Sequence, residues 1–166
     1  MFTIENLDEI RNKKGFICDM DGVIYHGNRL LPGVKEFVEW LYKEDKKFLF
    51  LTNSSDRSPR DLQQKLQRMG LDIDETHFYT SAQATARFLN SQSPGCSAYV
   101  MGEAGLMNAL YEVGITMNDS TPDYVVIGEP KSYNYEMIIK AVKLIQNGAK
   151  LVATNSDLTG PTDNGI

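Results

Sequence analysis

The sequence predicts an α/β fold built on a doubly wound parallel sheet. Short apolar segments alternate with longer amphipathic segments along the chain. The short segments are mostly apolar on both faces, as is typical of strands that helices cover from both sides. The longer ones carry apolar residues at spacings of three and four, which is typical of helices packed on such a sheet. This alternation predicts parallel strands joined by right-handed helical crossovers.

Five strands and five helices are predicted. The strands, in chain order, are Gly15–Asp19, Lys47–Thr52, Ser97–Met101, 123–127 and Lys150–Ala153. The helices between them are 32–43, 59–69, 81–91, 103–113 and 134–147. Ser58 followed by Pro59 predicts a capped helix start, and Gly70, Gly114 and Gly148 predict helix ends.

Composition excludes several classes of protein. The 166 residues carry a net charge of −5, which argues against a basic surface for nucleic acid. The two cysteines, Cys18 and Cys96, lie far apart and form no metal knuckle or disulfide framework. No segment approaches the ~20 apolar residues of a membrane helix, and the acidic N-terminus is unlike a signal peptide. We therefore expect a cytoplasmic protein with neither a nucleic-acid nor a membrane partner.

A polar stretch rich in helix breakers, 90–95, is the predicted linker between two units. The tetrapeptide Leu-Thr-Asn-Ser at 51–54 also resembles Ala-Thr-Asn-Ser at 153–156, each just after an apolar run. Because their flanks differ, we interpret them as two strand-end loops with similar small polar residues and not as a repeat.

The first predicted strand ends in two aspartates, Asp19 and Asp21. In extended backbone residues i and i+2 point to the same side, so both carboxylates converge at the carboxyl end of the strand, where open α/β sheets bind ligands. Gly22 permits a sharp turn that brings backbone N–H groups close. The pattern suggests a site for a hard cation such as Mg²⁺, or a protonated aspartate acting as a general acid. The alternative is that the aspartates only cap a turn.

The second predicted strand ends in Thr52 and Asn53. If the two strands are neighbours, these side chains lie beside the aspartates and supply donors that can hold a phosphate group. The alternative is an N-capping cluster for the helix that follows.

Together these residues resemble two motifs of the haloacid dehalogenase superfamily of phosphohydrolases. Asp19-Met20-Asp21-Gly22-Val23 is similar to the first motif, and Thr52-Asn53 to the second. Similarity to the NagD-like branch extends along nearly the whole chain. It includes the stretches 31–33, 78–82, 99–103, 126–129 and 153–155. The resemblance implies a Rossmann-like core with an inserted α/β cap domain, residues 1–91 forming part of the core and 92–166 an incomplete cap.

The resemblance also implies a mechanism and a substrate class. Asp19 would be the nucleophile that forms an aspartyl-phosphate, and Asp21 the general acid and base. Asp19 and the backbone carbonyl of Asp21 would help to hold Mg²⁺, while Asp21, Gly22, Thr52 and Asn53 would bind the phosphoryl group. The substrate would be a small phosphorylated metabolite, either a nucleotide monophosphate or a sugar phosphate.

Three cap residues, Glu129, Asn155 and Asp157, would face the site by the same resemblance, although turn formation at strand ends explains each of them slightly better. Pairing of two copies through the cap is a further implication. The family's third-motif lysine and fourth-motif acids have no match here. We therefore expect a chain truncated within its cap and inactive or weakly active by itself.

Other functions remain open. A catalytically incomplete module that binds phosphate or a nucleotide would use the same loops without turnover. A receiver domain fits less well, because its acid pair is adjacent and its phosphoacceptor lies on a later strand. The sequence contains no Gly-x-x-x-x-Gly-Lys motif, which excludes a P-loop nucleotidase.

Overall fold

The fold is described by a computed structural model that covers residues 7–157. In chain order its elements are α1 (Leu7–Arg11), β1 (Gly15–Asp19), β2 (Tyr25–His26), β3 (Arg29–Leu30), α2 (Val34–Lys43), β4 (Lys47–Thr52), α3 (Pro59–Arg68), β5 (Phe78–Thr80), α4 (Ser81–Gln92), β6 (Ser97–Met101), α5 (Ala104–Glu112), β7 (Thr116–Met117), β8 (Tyr124–Ile127), α6 (Tyr135–Gln146) and β9 (Lys150–Ala153). They form two parallel sheets and one short antiparallel hairpin.

The first sheet has the strand order β1-β4-β5, with both pairs parallel. Alternate residues of β4 point to opposite faces, so Phe48 and Phe50 are buried in one apolar cluster with residues of α2 and α3. Phe78 of β5 belongs to the same cluster. On the other face of β1, Ile17 is 72% exposed. Helices α2 and α3 therefore fix the sheet from one side and hold the carboxyl ends of β1 and β4 next to each other.

The second sheet has the order β7-β6-β8-β9, and all its neighbours are parallel. Ala98 and Val126 pack against α4 and α5 on one face. Val125 packs against Ala141 and Leu144 of α6 on the opposite face. Helices thus cover both faces of this sheet, which confirms the predicted doubly wound parallel architecture.

The predicted elements recur with small shifts at their ends. Helix α2 begins at Val34 and not at residue 32, because its N-cap residue Gly33 has a left-handed φ of 84°. Helix α1, the β2–β3 hairpin, β5 and β7 were not predicted, and these strands are only two or three residues long. Strands of that length show no recognisable alternation of apolar and polar residues.

The boundary between the two units remains a prediction. Helix α4 follows β5 directly, and its residues Ala82, Ala86 and Leu89 are buried in the apolar cluster of the second sheet. The last residues of the predicted cap, 158–166, lie outside the described part of the chain. Among residues 7–157 there is no helix with the length and apolar character needed to cross a bilayer.

Candidate active site

The two predicted motifs lie side by side at the carboxyl ends of β1 and β4. In the parallel register Asp19 is opposite Leu51, so Thr52 lies one residue beyond the last paired position of β1. Thr52 is in turn opposite Thr80 of β5. The adjacency that the sequence analysis assumed is therefore present.

The chain reverses direction immediately after β1. Gly22 has a left-handed φ of 78°, and its amide donates a hydrogen bond to the Tyr25 carbonyl oxygen at 2.8 Å. Asp19 and Asp21 are exposed, and Asp19 Oδ1 accepts a hydrogen bond from the Met20 amide at 2.9 Å. The turn thus leaves both carboxylates accessible, whereas the Gly22 amide already has a partner.

The side chain of Tyr25 lies behind the second aspartate. Its hydroxyl donates a hydrogen bond to Asp21 Oδ2 at 3.5 Å. The ring is buried, and the Lys65 ammonium group lies 3.6 Å from its centroid. Burial, followed by the negative charge of Asp21, raises the pKa of the Tyr25 phenol above its usual range. Tyr25 is therefore a hydrogen-bond donor to Asp21 over the ordinary range of pH.

Strand β4 ends at Thr52, whose side chain is buried. Its Oγ1 accepts a hydrogen bond from the Ser54 amide at 3.1 Å, which fixes the start of the turn. The Asn53 carbonyl accepts from the Ser81 hydroxyl at 2.6 Å, so the first residue of α4 holds the loop from the side. Both residues are thus fixed at the end of the strand where the sequence analysis expected a phosphate group.

Two of the three predicted cap residues contact this loop directly. The Ser54 hydroxyl lies 3.0 Å from Glu129 Oε2 and 2.7 Å from Asp56 Oδ1. The Asn53 side-chain amide donates to Asp157 Oδ2 at 3.1 Å. Asn155 takes part indirectly, because its Oδ1 accepts from the Asp157 amide at 2.9 Å. The second unit therefore brings carboxylates to the loop that follows β4.

Ser55 joins the same loop to the ends of β8 and β9. Its side chain is fully buried, and its Oγ accepts from the Glu129 amide at 3.3 Å and from the Thr154 hydroxyl at 3.2 Å. A Cβ atom on Gly128 would lie only 2.8 Å from this Oγ. The two strand-end loops that resemble each other in sequence are thus in contact.

The start of α5 meets the loop from another direction. The Gly105 amide donates to the Asp56 carbonyl oxygen at 3.2 Å. A Cβ atom on Gly105 would lie 2.6 Å from the backbone N and C atoms of Arg57. The Arg57 side chain, which sequence reasoning did not place in the site, lies beside Asp56 with a 3.7 Å separation between Nε and Oδ2.

The donor atoms at the end of β1 suit a magnesium ion. In proteins Mg²⁺ is commonly held by one or two carboxylates together with water and substrate phosphate oxygens. Asp19 supplies an exposed carboxylate at the edge of the sheet, and the backbone carbonyl oxygen of Asp21 follows two residues later. Within residues 7–157 no cluster of three or more histidine, cysteine, aspartate or glutamate side chains is suited to a metal. Oxygen donors are the ligands that Mg²⁺ prefers, whereas Zn²⁺ sites commonly use cysteine and histidine.

Sequence reasoning missed Tyr25, Ser54 and Ser55 as parts of the site. Tyr25 lies in a short hairpin with no recognisable pattern, so nothing in the sequence indicated that its hydroxyl meets Asp21. The serines directly follow Thr52 and Asn53, and their neighbourhood was visible as the tetrapeptide shared by 51–54 and 153–156. That similarity was the one signal that could have pointed to contact between the two loops.

Comparison with known proteins agrees with the motifs. A family model described as haloacid dehalogenase-like hydrolase matches residues 16–116. The chain is 43% identical over 151 residues to dihydroxyacetone phosphatase from Corynebacterium glutamicum. The aligned region covers 91% of this chain and 55% of that relative. It is 42% identical over 147 residues to ribonucleotide monophosphatase NagD from Escherichia coli. That aligned region covers 89% of this chain and 58% of the relative.

Solved structures are similar as well. The NagD structure from Escherichia coli superposes with a TM-score of 0.83 over 89% of this chain and 58% of that one. A glycerol phosphate phosphatase from Mycobacterium tuberculosis, solved in complex with magnesium, is 28% identical with a TM-score of 0.84, over 92% of this chain and 46% of that one. The chain thus spans little more than half the length of the curated relatives described here.

Proposed function

Because the chain belongs to the haloacid dehalogenase-like hydrolases, we propose that its complete gene product is a Mg²⁺-dependent phosphomonoester hydrolase. The observation that carries the proposal is the adjacency of the two strand ends. Asp19 ends β1 and Asp21 lies just beyond it, while Thr52 ends the parallel neighbour β4 and Asn53 follows. A nucleophile, a proton donor and phosphate-binding groups at one sheet edge are the components that phosphoryl transfer requires.

In the first half of the reaction Asp19 attacks the substrate. A carboxylate oxygen of Asp19 forms a bond to phosphorus while the bond from phosphorus to the ester oxygen breaks. The ester oxygen keeps the electron pair and takes the proton of Asp21, so the alcohol leaves neutral. The products of this half are an aspartyl-phosphate and the Asp21 carboxylate.

In the second half water replaces Asp19. The Asp21 carboxylate takes a proton from the water molecule as its oxygen bonds to phosphorus, and the acyl phosphate bond to Asp19 breaks. Thr52 and Asn53, with the backbone amides of Asp21 and Gly22, donate to the phosphoryl oxygens as their charge develops. Gly22 would have to exchange its contact with Tyr25 for this role.

Asp19 and the Asp21 carbonyl would hold the magnesium ion. When bound, the ion neutralises the charge of the phosphate group so that an anionic nucleophile can approach it. The structure of the mycobacterial relative in complex with magnesium supports the choice of this ion.

The proposed substrate is a small phosphorylated metabolite, either a nucleotide monophosphate or a sugar phosphate. The names of the relatives point to ribonucleotide monophosphates and dihydroxyacetone phosphate, and one further relative is an acid sugar phosphatase from Staphylococcus saprophyticus. Glu129 and Asp157 would face the leaving group, with Asn155 holding Asp157, because all three lie within two hydrogen bonds of the phosphate-binding loop.

The experiment is a phosphatase assay of the complete gene product with and without Mg²⁺. Asp19→Asn removes the nucleophile, so we expect activity to fall at least ~1000-fold. Asp72→Asn, at an exposed carboxylate after α3, is the matched control and should retain activity. Equal activity of wild type and Asp19→Asn would refute the proposal. Phosphate or nucleotide binding without turnover in the wild type would instead favour the incomplete binding module.

The remaining assignments are also proposals. We propose a core unit up to about residue 91 and a cap from 92 onward, and a cytoplasmic location. Pairing of copies through the cap is supported only by the exposed apolar residues Tyr135, Ile138 and Val142 on α6.

A further inference from the structure

Tyr25 is a buried tyrosine whose hydroxyl faces the proposed proton donor. Only 3% of its surface is exposed, and its hydroxyl lies 3.5 Å from Asp21 Oδ2. A buried phenol almost always finds a hydrogen-bond partner. Here that partner is the carboxylate which, in the proposed function, must deliver a proton to the leaving oxygen.

The backbone holds this tyrosine in place. Its amide donates to the Met20 carbonyl at 3.3 Å, and its own carbonyl accepts from Gly22 at 2.8 Å. Tyr25 also pairs with Leu30 in the β2–β3 hairpin. The turn after β1 therefore folds back on itself and brings the phenol behind Asp21.

Contact with one carboxylate oxygen has a chemical consequence. A hydrogen bond to Oδ2 restricts rotation of the Asp21 carboxyl group and leaves Oδ1 to carry the transferable proton. Hydrogen bonds of catalytic groups are commonly long in ligand-free structures and shorten when substrate binds. A separation of 3.5 Å is therefore compatible with a role that becomes stronger during the reaction.

We propose that Tyr25 is a positioning residue that orients Asp21 for proton transfer to the leaving oxygen. The inference rests on the proposed function. As the bond between phosphorus and the ester oxygen breaks, the proton on Asp21 Oδ1 moves to that oxygen and Asp21 becomes a carboxylate. The Tyr25 hydroxyl donates to Oδ2 throughout and stabilises the charge that develops there.

The test compares two leaving groups in the complete gene product. p-Nitrophenolate departs without a proton, whereas the alkoxide of glycerol 3-phosphate requires one. The readout is kcat/KM, which covers the steps up to departure of the leaving group and excludes the hydrolysis of the aspartyl-phosphate that both substrates share. Tyr25→Phe should lower kcat/KM for glycerol 3-phosphate about tenfold or more, and for p-nitrophenyl phosphate no more than about threefold.

Two further variants calibrate the result. Asp21→Asn should lower kcat/KM for glycerol 3-phosphate relative to p-nitrophenyl phosphate even more than Tyr25→Phe does. Adding Tyr25→Phe to Asp21→Asn should change this ratio little further. Tyr124→Phe is the matched control, because Tyr124 is 6% exposed and also lies beside a lysine, with Lys150 Nζ 5.8 Å from its ring centroid. Its kcat/KM should stay within about twofold of the wild type for both substrates.

The outcomes separate the two proposals. Suppose that the wild type hydrolyses both substrates. If Tyr25→Phe then lowers kcat/KM equally for both, or changes it for neither, the positioning role is refuted and the proposed function stands. Wild-type protein inactive on both substrates would overturn the proposed function and this inference with it. Thermal unfolding confirms that each variant is folded. If Tyr25→Phe is not, Tyr25→Met, whose flexible side chain fills irregular space without a donor, takes its place with the same expected result.

Discussion

The Ser54 hydroxyl lies 3.0 Å from Glu129 Oε2, and these residues are 75 positions apart in the chain. The same hydroxyl is 2.7 Å from Asp56 Oδ1. A serine hydroxyl has a single hydrogen, so it can donate to only one of the two carboxylates at a time. Two carboxylates therefore share one donor next to the proposed phosphate-binding loop. Arg57 lies beside Asp56, so Glu129 is the carboxylate of the two without a cation beside it in the described contacts.

This relationship predicts a preference for neutral leaving groups. In the complete gene product, Glu129→Gln should raise kcat/KM for phosphoglycolate relative to glycerol 3-phosphate by about fivefold, because one unit of negative charge near the substrate carboxylate is removed. The measurement is the ratio of kcat/KM for the two substrates. Glu136→Gln, on the exposed first turn of α6, is the control and should leave the ratio unchanged. An unchanged ratio in Glu129→Gln would show that Glu129 does not face the leaving group.

The buried hydroxyl of Ser55 should contribute to stability. Ser55→Ala leaves the Glu129 amide and the Thr154 hydroxyl without their acceptor, which should lower the free energy of unfolding by about 1–3 kcal/mol. Urea unfolding of the purified protein measures the change. The exposed Ser91 hydroxyl donates to the Phe88 carbonyl at 2.7 Å, and Ser91→Ala should cost no more than about 0.5 kcal/mol. Similar losses in both variants would contradict the prediction.

Replacement of Gly105 should have the opposite effect on stability to the one that helix propensity alone predicts. Replacing a helical glycine by alanine normally stabilises a helix by about 1 kcal/mol. At this position the added Cβ would lie 2.6 Å from the Arg57 backbone, which cannot move aside like a side chain. We therefore expect Gly105→Ala to destabilise the protein by about 2 kcal/mol in urea unfolding.

Gly15→Ala is the control for this substitution. Its Cβ would lie 3.4 Å from the Lys47 carbonyl oxygen, a distance close to ordinary contact. The change in the free energy of unfolding should be within about 0.5 kcal/mol. If Gly105→Ala proved as stable as wild type, the close approach of α5 to the loop after β4 would be wrong.

The start of α3 predicts a pH-dependent contribution to stability. The Ser58 hydroxyl and then the Ser58 amide donate to the Asp61 carboxylate, and they hold its pKa below the usual value. Because the pKa of Asp61 is lower in the folded state, its stabilising contribution is fully present when the pH is above the pKa of the unfolded state, about 3.9. The contribution is lost as the pH falls through the pKa of the folded state.

Unfolding of wild type and Asp61→Asn at a series of pH values tests this. Because the carboxylate is largely exposed, the difference in unfolding free energy at neutral pH should be no more than about 1 kcal/mol. It should shrink as the pH falls below about 4. In a Ser58→Ala background the pH dependence of that difference should be smaller. A difference that stays constant down to the acid limit would exclude the linkage.

The sequence predicted the strands that stand out as apolar runs. Strands β1, β4, β6 and β9 begin and end at the predicted residues, because each is an apolar run with breakers or polar residues at its ends. The strand order was inaccessible. Whether β1 lies beside β4 depends on how α2 packs, so the adjacency of Asp19 and Thr52 had to be assumed.

The site could be predicted only where its residues lie close together in sequence, at the end of a single strand. Asp19 and Asp21 are two residues apart, and their common direction follows from strand geometry. The contact between Tyr25 and Asp21 depends on a hairpin of two short strands. The contacts of Ser54 and Ser55 join residues more than 70 positions apart, and they depend on the placement of the second sheet.

The packing of Gly128 against Ser55 has a consequence for the family's history. A Cβ at 128 would lie 2.8 Å from Ser55 Oγ and 2.9 Å from Leu106 Cδ2, so a larger residue at 128 requires space at both 55 and 106. In homologous sequences these three positions should therefore change together, with alanine at 128 accompanied by alanine at 55 and a different side chain at 106. The junction between the two sheets would then be inherited as a matched set and not as independent positions.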